Sequence, residues 1–238
     1  MADVQVQEIV FNVVTTVGLL ILAIAVHEWA HVAMARFLGD PTGERMGRLT
    51  LNPLAHADPL WTVALPTYFV IMQTLAGSAF PVPFFGAGKP APYSPVKLTR
   101  AFGGKRIHMR TAEMLVAIAG PLSNLVLALV TTVVVILLVR AGQPLFDDTR
   151  SLALLAFKFV VLNIGLFTFN LIPIPPLDGS KVVYSLLPHE LGLKYEAFVE
   201  KLSWLLMIVL FAGGARIVLA PIQRAIIGVL LDVVSFAT

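Results

Sequence analysis

The chain has 238 residues, of which 58% are hydrophobic and only 13% charged. Its mean hydropathy is +0.86. Soluble domains are nearer half apolar and a quarter charged, so this composition excludes an ordinary soluble protein and indicates repeated membrane spans. There are no cysteines, which excludes disulfides and thiolate metal sites, so any metal must be held by His, Asp or Glu. A net charge of +3 is too small for a nucleic-acid surface, and the Lys and Arg residues lie between apolar runs, as positive-inside topology requires.

The first apolar run covers about 9–38 and stops at Gly39-Asp40-Pro41. Asp3 and Glu8 precede it where a signal peptide would carry positive charge, so it reads as a retained span. Residues 40–58 are polar and turn-rich, and the alternation Arg48-Leu49-Thr50-Leu51 predicts a short strand. A second apolar segment, about 60–80, is interrupted by Pro66 and Gly77. Five prolines within 81–98 exclude a helix there and favour extended chain. Apolar segments follow at about 112–139 (containing Gly120-Pro121), 152–172 and 202–219. A last run, about 225–236, is short for a span. The expected fold is an all-α polytopic membrane protein with about four to six transmembrane helices and a re-entrant or short β element near the site. We treat 1–238 as one domain, with a core of about 9–187 and C-terminal helices over about 198–236.

His27-Glu28-Trp29-Ala30-His31 is an HExxH motif inside the first apolar helix. Residues i and i+4 share a helical face, so both imidazoles can reach one ion. Glu28 then lies beside that ion, placed to take a proton from attacking water and return it to a leaving amine. Three ionisable groups within five intramembrane positions are costly without a cation. A catalytic zinc has three protein ligands and an open position. His56, His108 and His189 lie in polar loops and read as surface or turn residues. Asp178, at the end of a long apolar segment and its proline-rich turn, is the better third ligand. Its competing reading is a helix N-cap before Gly179.

With these motifs in view, the sequence resembles the site-2 protease family of intramembrane zinc metalloproteases. The resemblance rests on His27, Glu28 and His31, and on the NxxPxPxLDG run from Asn170 to Gly179. It implies that Asp178 is the third zinc ligand and that Asn170 steadies the substrate carbonyl or its oxyanion. Gly47–Pro53, Gly88–Pro92 and Ala119–Asn124 look like the small bacterial branch, without a PDZ or CBS domain. Gly120-Pro121 and Asn124 fit either a kinked span with a small-residue helix contact or an Asn124 facing the cavity. The implied function is hydrolysis of a peptide bond in or near the transmembrane segment of a membrane protein substrate. The implied setting is regulated intramembrane proteolysis in a bacterial cytoplasmic membrane. The alternative is a membrane metal-ion transporter using the same His/His/Asp site, although no inverted repeat is evident.

Topology follows from parity. His27, His31 and Asp178 can meet only if the first and fourth segments run in the same direction. One of the two segments between them must therefore fail to cross. The interrupted second segment is the weaker, so residues 60–95 are expected to enter and return to the same side. Arg36, Arg45, Arg48, Lys89, Lys97, Arg100, Lys105, Arg106, Arg110, Lys181, Lys194 and Lys201 then share the cytoplasmic face.

Overall fold

The computed structural model describes residues 2–78, 86–99, 101–102, 105–148, 150–210 and 214–237. Helix α1 (Ala2–Phe37) is a Val/Leu/Ile/Ala run. It ends where Gly39 takes a φ of 109°. Asp40 N then donates to Ala35 O and Gly39 N to Arg36 O, the paired bonds of a Schellman stop. Two single-turn helices follow, α2 (Thr42–Arg45) and α3 (Pro53–His56). A π-helical turn, Pro59–Ala64, is capped by the Asp58 carboxylate and runs directly into α4 (Leu65–Leu75). The long helices α5 (Met109–Arg140) and α6 (Leu152–Asn170) come next; the Ser151 hydroxyl caps α6 by accepting from Leu154 N. Helices α7 (Asp178–Leu186), α8 (His189–Val209) and α9 (Ala215–Ala237) complete the chain.

Among the described residues, four helical stretches are long and apolar enough to cross a bilayer: 5–37, 109–140, 152–170 and 217–237. Many of their large apolar side chains point outward, among them Val14, Leu137 and Val229, which suits a lipid surround. The chain is a multi-pass, all-α membrane protein. The last helical run is longer than the 225–236 expected from sequence: α9 covers Ala215–Ala237 and carries Pro221 inside it. Helix α8 ends at Val209, and residues 211–213, within the 202–219 segment, lie outside the described residues. A proline is tolerated in a membrane helix where neighbouring groups satisfy the freed carbonyl, and α9 continues through Pro221.

Directions follow from contacts between helices. Lys158 of α6 reaches Asn12 at the start of α1, and Leu162 and Leu166 pack on Leu20 and Ile24 further along it. Helices α1 and α6 therefore run parallel. Helix α5 is antiparallel to both, since Asn124 meets Ala23 while the earlier Val116 meets the later His31. Helix α9 returns antiparallel to α6: Gln223 bonds Thr168, and Ala237 O accepts from Arg140 at the end of α5. The α4 segment behaves as parity requires. Thr74, near its end, meets Asn12. Yet Lys89 N donates to His56 O, and Ala87 O accepts from Thr62 Oγ1, back where the segment began. The chain goes down beside α1 and comes back. Residues 86–94 form neither helix nor strand, while residues 79–85 lie outside the described residues.

The short strand expected at 48–51 is absent. That stretch bends around His56, whose Nε2 bonds Thr50 O, so Thr50 is not available to a ladder. The β pairing among the described residues is instead Ala101–Phe102 against Lys105–Arg106.

Candidate metal centre

The α1 periodicity sets His27 and His31 one turn apart on the face that meets α5 and α6. Asp178 arrives from another direction. The turn between α6 and α7 packs Phe169, Ile172 and Leu177 against Leu210 and Leu219. Gly179 closes it, since a Cβ there would lie 2.3 Å from Leu171 O. Leu177 is the N-cap of α7 and Asp178 its first residue, with no side-chain capping bond. The N-cap reading of Asp178 is thus set aside: its Oδ2 lies 3.3 Å from His27 Nε2 and 3.3 Å from His31 Nε2. The two Nε2 atoms are 3.0 Å apart.

The other ring nitrogens are tied back. His31 Nδ1 lies 2.7 Å from Val116 O, a carbonyl that can only accept, so Nδ1 carries the proton. His27 Nδ1 lies 2.6 Å from Asn124 Oδ1. Both Nε2 atoms then present lone pairs to each other and to a carboxylate oxygen, an arrangement that is repulsive without a cation. A tetrahedral zinc with bonds of ~2.0–2.1 Å sets its ligands about 3.3 Å apart, which matches these spacings. A second observation fits. Glu28 is buried beside the triangle, and its Oε2 has no hydrogen-bond partner within the protein. An orphaned buried carboxylate oxygen needs a partner such as water held at the open metal position.

Space at the centre is made by glycines. A Cβ on Gly120 would lie 2.3 Å from His31 Nε2 and 2.7 Å from His27 Cε1, so α5 can pass the imidazoles only as glycine. A Cβ on Gly88 would meet Ile24 and Glu28, so the 86–94 segment also approaches without side-chain bulk. The resulting cleft, ≈ 200 Å³, is lined by His27, Glu28, His31, Asp178 and Asn170, with Tyr93 and Lys181 at its edge. Asn170 donates one amide hydrogen to Leu166 O, which leaves its second N–H for another acceptor.

Several residues stand elsewhere than the sequence suggested. His56 is not a surface residue: it is buried, 2% exposed, and its backbone carbonyl anchors Lys89. His108 and His189 begin α5 and α8, outside the metal cluster. Asn124 does not line the cleft but lies behind His27. Asn163 was missed altogether; the available signal was an amide in the middle of a strongly apolar helix, a costly placement that demands a partner.

Comparison with known proteins agrees with this geometry. Residues 145–214 match the model of peptidase family M50. They include Asn170 and Asp178 but not the HExxH motif. A match named "Putative zinc metalloprotease YwhC", from Bacillus subtilis, is 34% identical over 193 residues, covering 81% of this chain and 77% of that protein. The chain belongs to peptidase family M50. "Putative zinc metalloprotease Rip2" of Mycolicibacterium smegmatis is 31% identical, covering 68% of this chain and 56% of that protein. The Rip2 of Mycobacterium tuberculosis (strain H37Rv) is 30% identical, covering 67% and 52%. This M50 peptidase therefore spans little more than half the length of the Rip2 proteins. No solved structure matches it. Membership decides between protease and transporter: the chain is a zinc metalloprotease of the site-2 type.

Proposed function

We propose that this protein hydrolyses a peptide bond in or near the transmembrane segment of another membrane protein, within the cell membrane and as part of regulated intramembrane proteolysis. His27, His31 and Asp178 hold one zinc ion, Glu28 is the general base and acid, and Asn170 binds the carbonyl oxygen under attack. One observation carries the reading: three lone-pair atoms 3.0–3.3 Å apart, beside an unpartnered Glu28 oxygen, where the C-terminal part of α1 meets the first residue of α7.

Zinc, when bound, supplies Lewis-acid polarisation and lowers the pKa of water to about 7. The chain's own groups do the rest. Glu28, in an apolar wall with Ile24 and Gly88, takes the proton of the attacking water and passes it to the departing amine. The spare N–H of Asn170 meets the negative charge developing on the carbonyl oxygen. Helical peptide bonds are shielded by their own hydrogen bonds, so a substrate helix must be locally unwound to enter a cleft this narrow. The whole chain forms one domain around this centre.

The test is co-expression with candidate single-span membrane proteins. Wild type should release a shortened soluble fragment, and Glu28→Gln should not, while retaining one zinc per chain. Equal cleavage by both would remove the protease assignment of this site.

A further inference from the structure

A chain of buried amides runs from the middle of α6 through α5 to His27. Asn163 donates through Nδ2 to Phe159 O at 2.8 Å, one turn back in its own helix. Its Oδ1 accepts from Asn124 Nδ2 at 2.9 Å. Asn124 Nδ2 also donates to Ala23 O at 3.3 Å. Asn124 Oδ1 then faces His27 Nδ1 at 2.6 Å. Asn124 and Asn163 are both 0% exposed.

The polarity of this chain has one consistent solution. Phe159 O can only accept, so the NH₂ of Asn163 must face it and the Oδ1 of Asn163 must face Asn124. Asn124 then meets two acceptors, Asn163 Oδ1 and Ala23 O, and must turn its own NH₂ towards both. Its Oδ1 is left facing His27, so His27 Nδ1 is the donor and Nε2 keeps its lone pair for the metal. Reversing either amide would place donor against donor or acceptor against acceptor in an apolar interior, where each mismatch is costly.

We infer that Asn163 is a positioning residue for the metal centre, acting through Asn124 to fix the tautomer and ring orientation of His27. It touches neither metal nor substrate. This rests on the reading of His27 as a zinc ligand. The relay also explains a pairing of helices: α6 supplies the fixed end, α5 the transmitting amide and α1 the ligand, so the three spans must be in register for the imidazole to be set.

The experiment uses the full chain purified in detergent, with zinc affinity measured by chelator competition and the ligand field read from the visible absorption of the cobalt-substituted protein. Asn163→Leu removes the acceptor while keeping the branched side-chain shape and should weaken zinc binding roughly 10- to 100-fold, the range for lost outer-shell partners of a metal-bound histidine. It should also alter the cobalt spectrum. Asn163→Asp, held neutral by the apolar interior so that its hydroxyl donates to Phe159 O, keeps an acceptor towards Asn124 and should stay within about threefold of wild type. In the Asn124→Leu background, Asn163→Leu should have little further effect, because the two act in series. Should Asn163→Leu not yield folded protein, Asn163→Ala, which deletes the same acceptor without bulk, is read in the same way. Wild-type affinity and spectrum in the folded deletion variant, equal losses in Asn163→Asp and Asn163→Leu, or full additivity with Asn124→Leu would each overturn the relay. His27→Ala separates the two readings: if it leaves zinc affinity unchanged, the ligand assignment fails, whereas if only His27→Ala weakens binding, the relay alone fails.

Discussion

Gly120 lies flat against His31: a Cβ added to it would come 2.3 Å from the imidazole Nε2 that faces Asp178. The missing side chain is what lets α5 pass across both imidazoles. Its neighbours cannot yield cheaply, since His31 is tied to Val116 O and His27 to Asn124. Gly120→Ala should therefore displace at least one ligand, lowering bound zinc well below one per chain and removing cleavage. Metal analysis of the purified variant checks this; a fully loaded, active Gly120→Ala protein would show that the imidazoles move aside.

Glu28→Gln tests the proton path. The amide keeps size and shape but cannot take a proton, so turnover should fall by about 10²–10⁴-fold, the usual contribution of a positioned acid–base group. Zinc content should stay at one per chain, because Glu28 is not among the three converging ligand atoms. Loss of zinc in this variant would make Glu28 a ligand rather than a base.

Asn170→Ala tests the carbonyl contact. Asn170 lines the cleft, and with one amide hydrogen bonded to Leu166 O it has a second N–H to offer. Turnover should drop on the order of 10²-fold with zinc content unchanged. A variant with normal turnover would mean that Asn170 only caps the end of α6.

The outline of this centre was legible because its chemistry is local. An i, i+4 His pair with an adjacent Glu has few uses, and the Asn170–Gly179 run keeps its own spacing. Gly120, Asn124 and Asn163 were not legible in the same way. Their roles depend on which faces of α1, α5 and α6 meet, and α6 is apolar on all sides, so periodicity carries no facing information. His56 was misread because polar loop residues are usually exposed, whereas this loop folds back onto the hairpin neck. The start of the last span was not legible, because Pro221 interrupts the apolar pattern and a proline that ends a water-facing helix is tolerated in a membrane one.

Asp40 joins the end of α1 to the segment walling the cleft. Its carboxylate accepts from Thr42 N at 2.9 Å, Thr42 Oγ1 at 2.5 Å and Ser94 N at 2.5 Å. Burial pushes its pKa up, but this is outweighed by the bonds from Thr42 and Ser94 and by nearby Lys97, leaving the pKa below the ordinary carboxylate value. The stabilisation is thus fully present above the unfolded pKa of about 4 and lost as pH falls through the lower folded value. Asp40→Asn should cost about 1–3 kcal/mol near neutrality. Thermal unfolding in detergent should show the gap from wild type closing below about pH 4. A gap independent of pH would assign the loss to packing rather than charge.

Two features of the topology agree. Helices α1 and α6 run parallel, so an odd number of crossings must separate them, and α5 supplies one. The α4 hairpin must then contribute none, and its two ends do meet at His56–Lys89 and Thr62–Ala87. Lys97 Nζ lies 3.1 Å from Thr42 Oγ1, so the chain before the hairpin and the chain after it share one face. Positive charge on 36–48 and 89–110 predicts, by the positive-inside rule, that this face is the cytoplasmic one. The chain has no cysteine of its own, so single replacements can be labelled cleanly. Met46→Cys and Val96→Cys, at positions 61% and 79% exposed, should react with an impermeant thiol reagent from the cytoplasmic side only. Phe146→Cys, in the turn between α5 and α6, should react only from the other side. Labelling of positions 46 and 96 from opposite sides would make α4 a full span, and α1 and α6 could then no longer bring His27 and Asp178 to one depth.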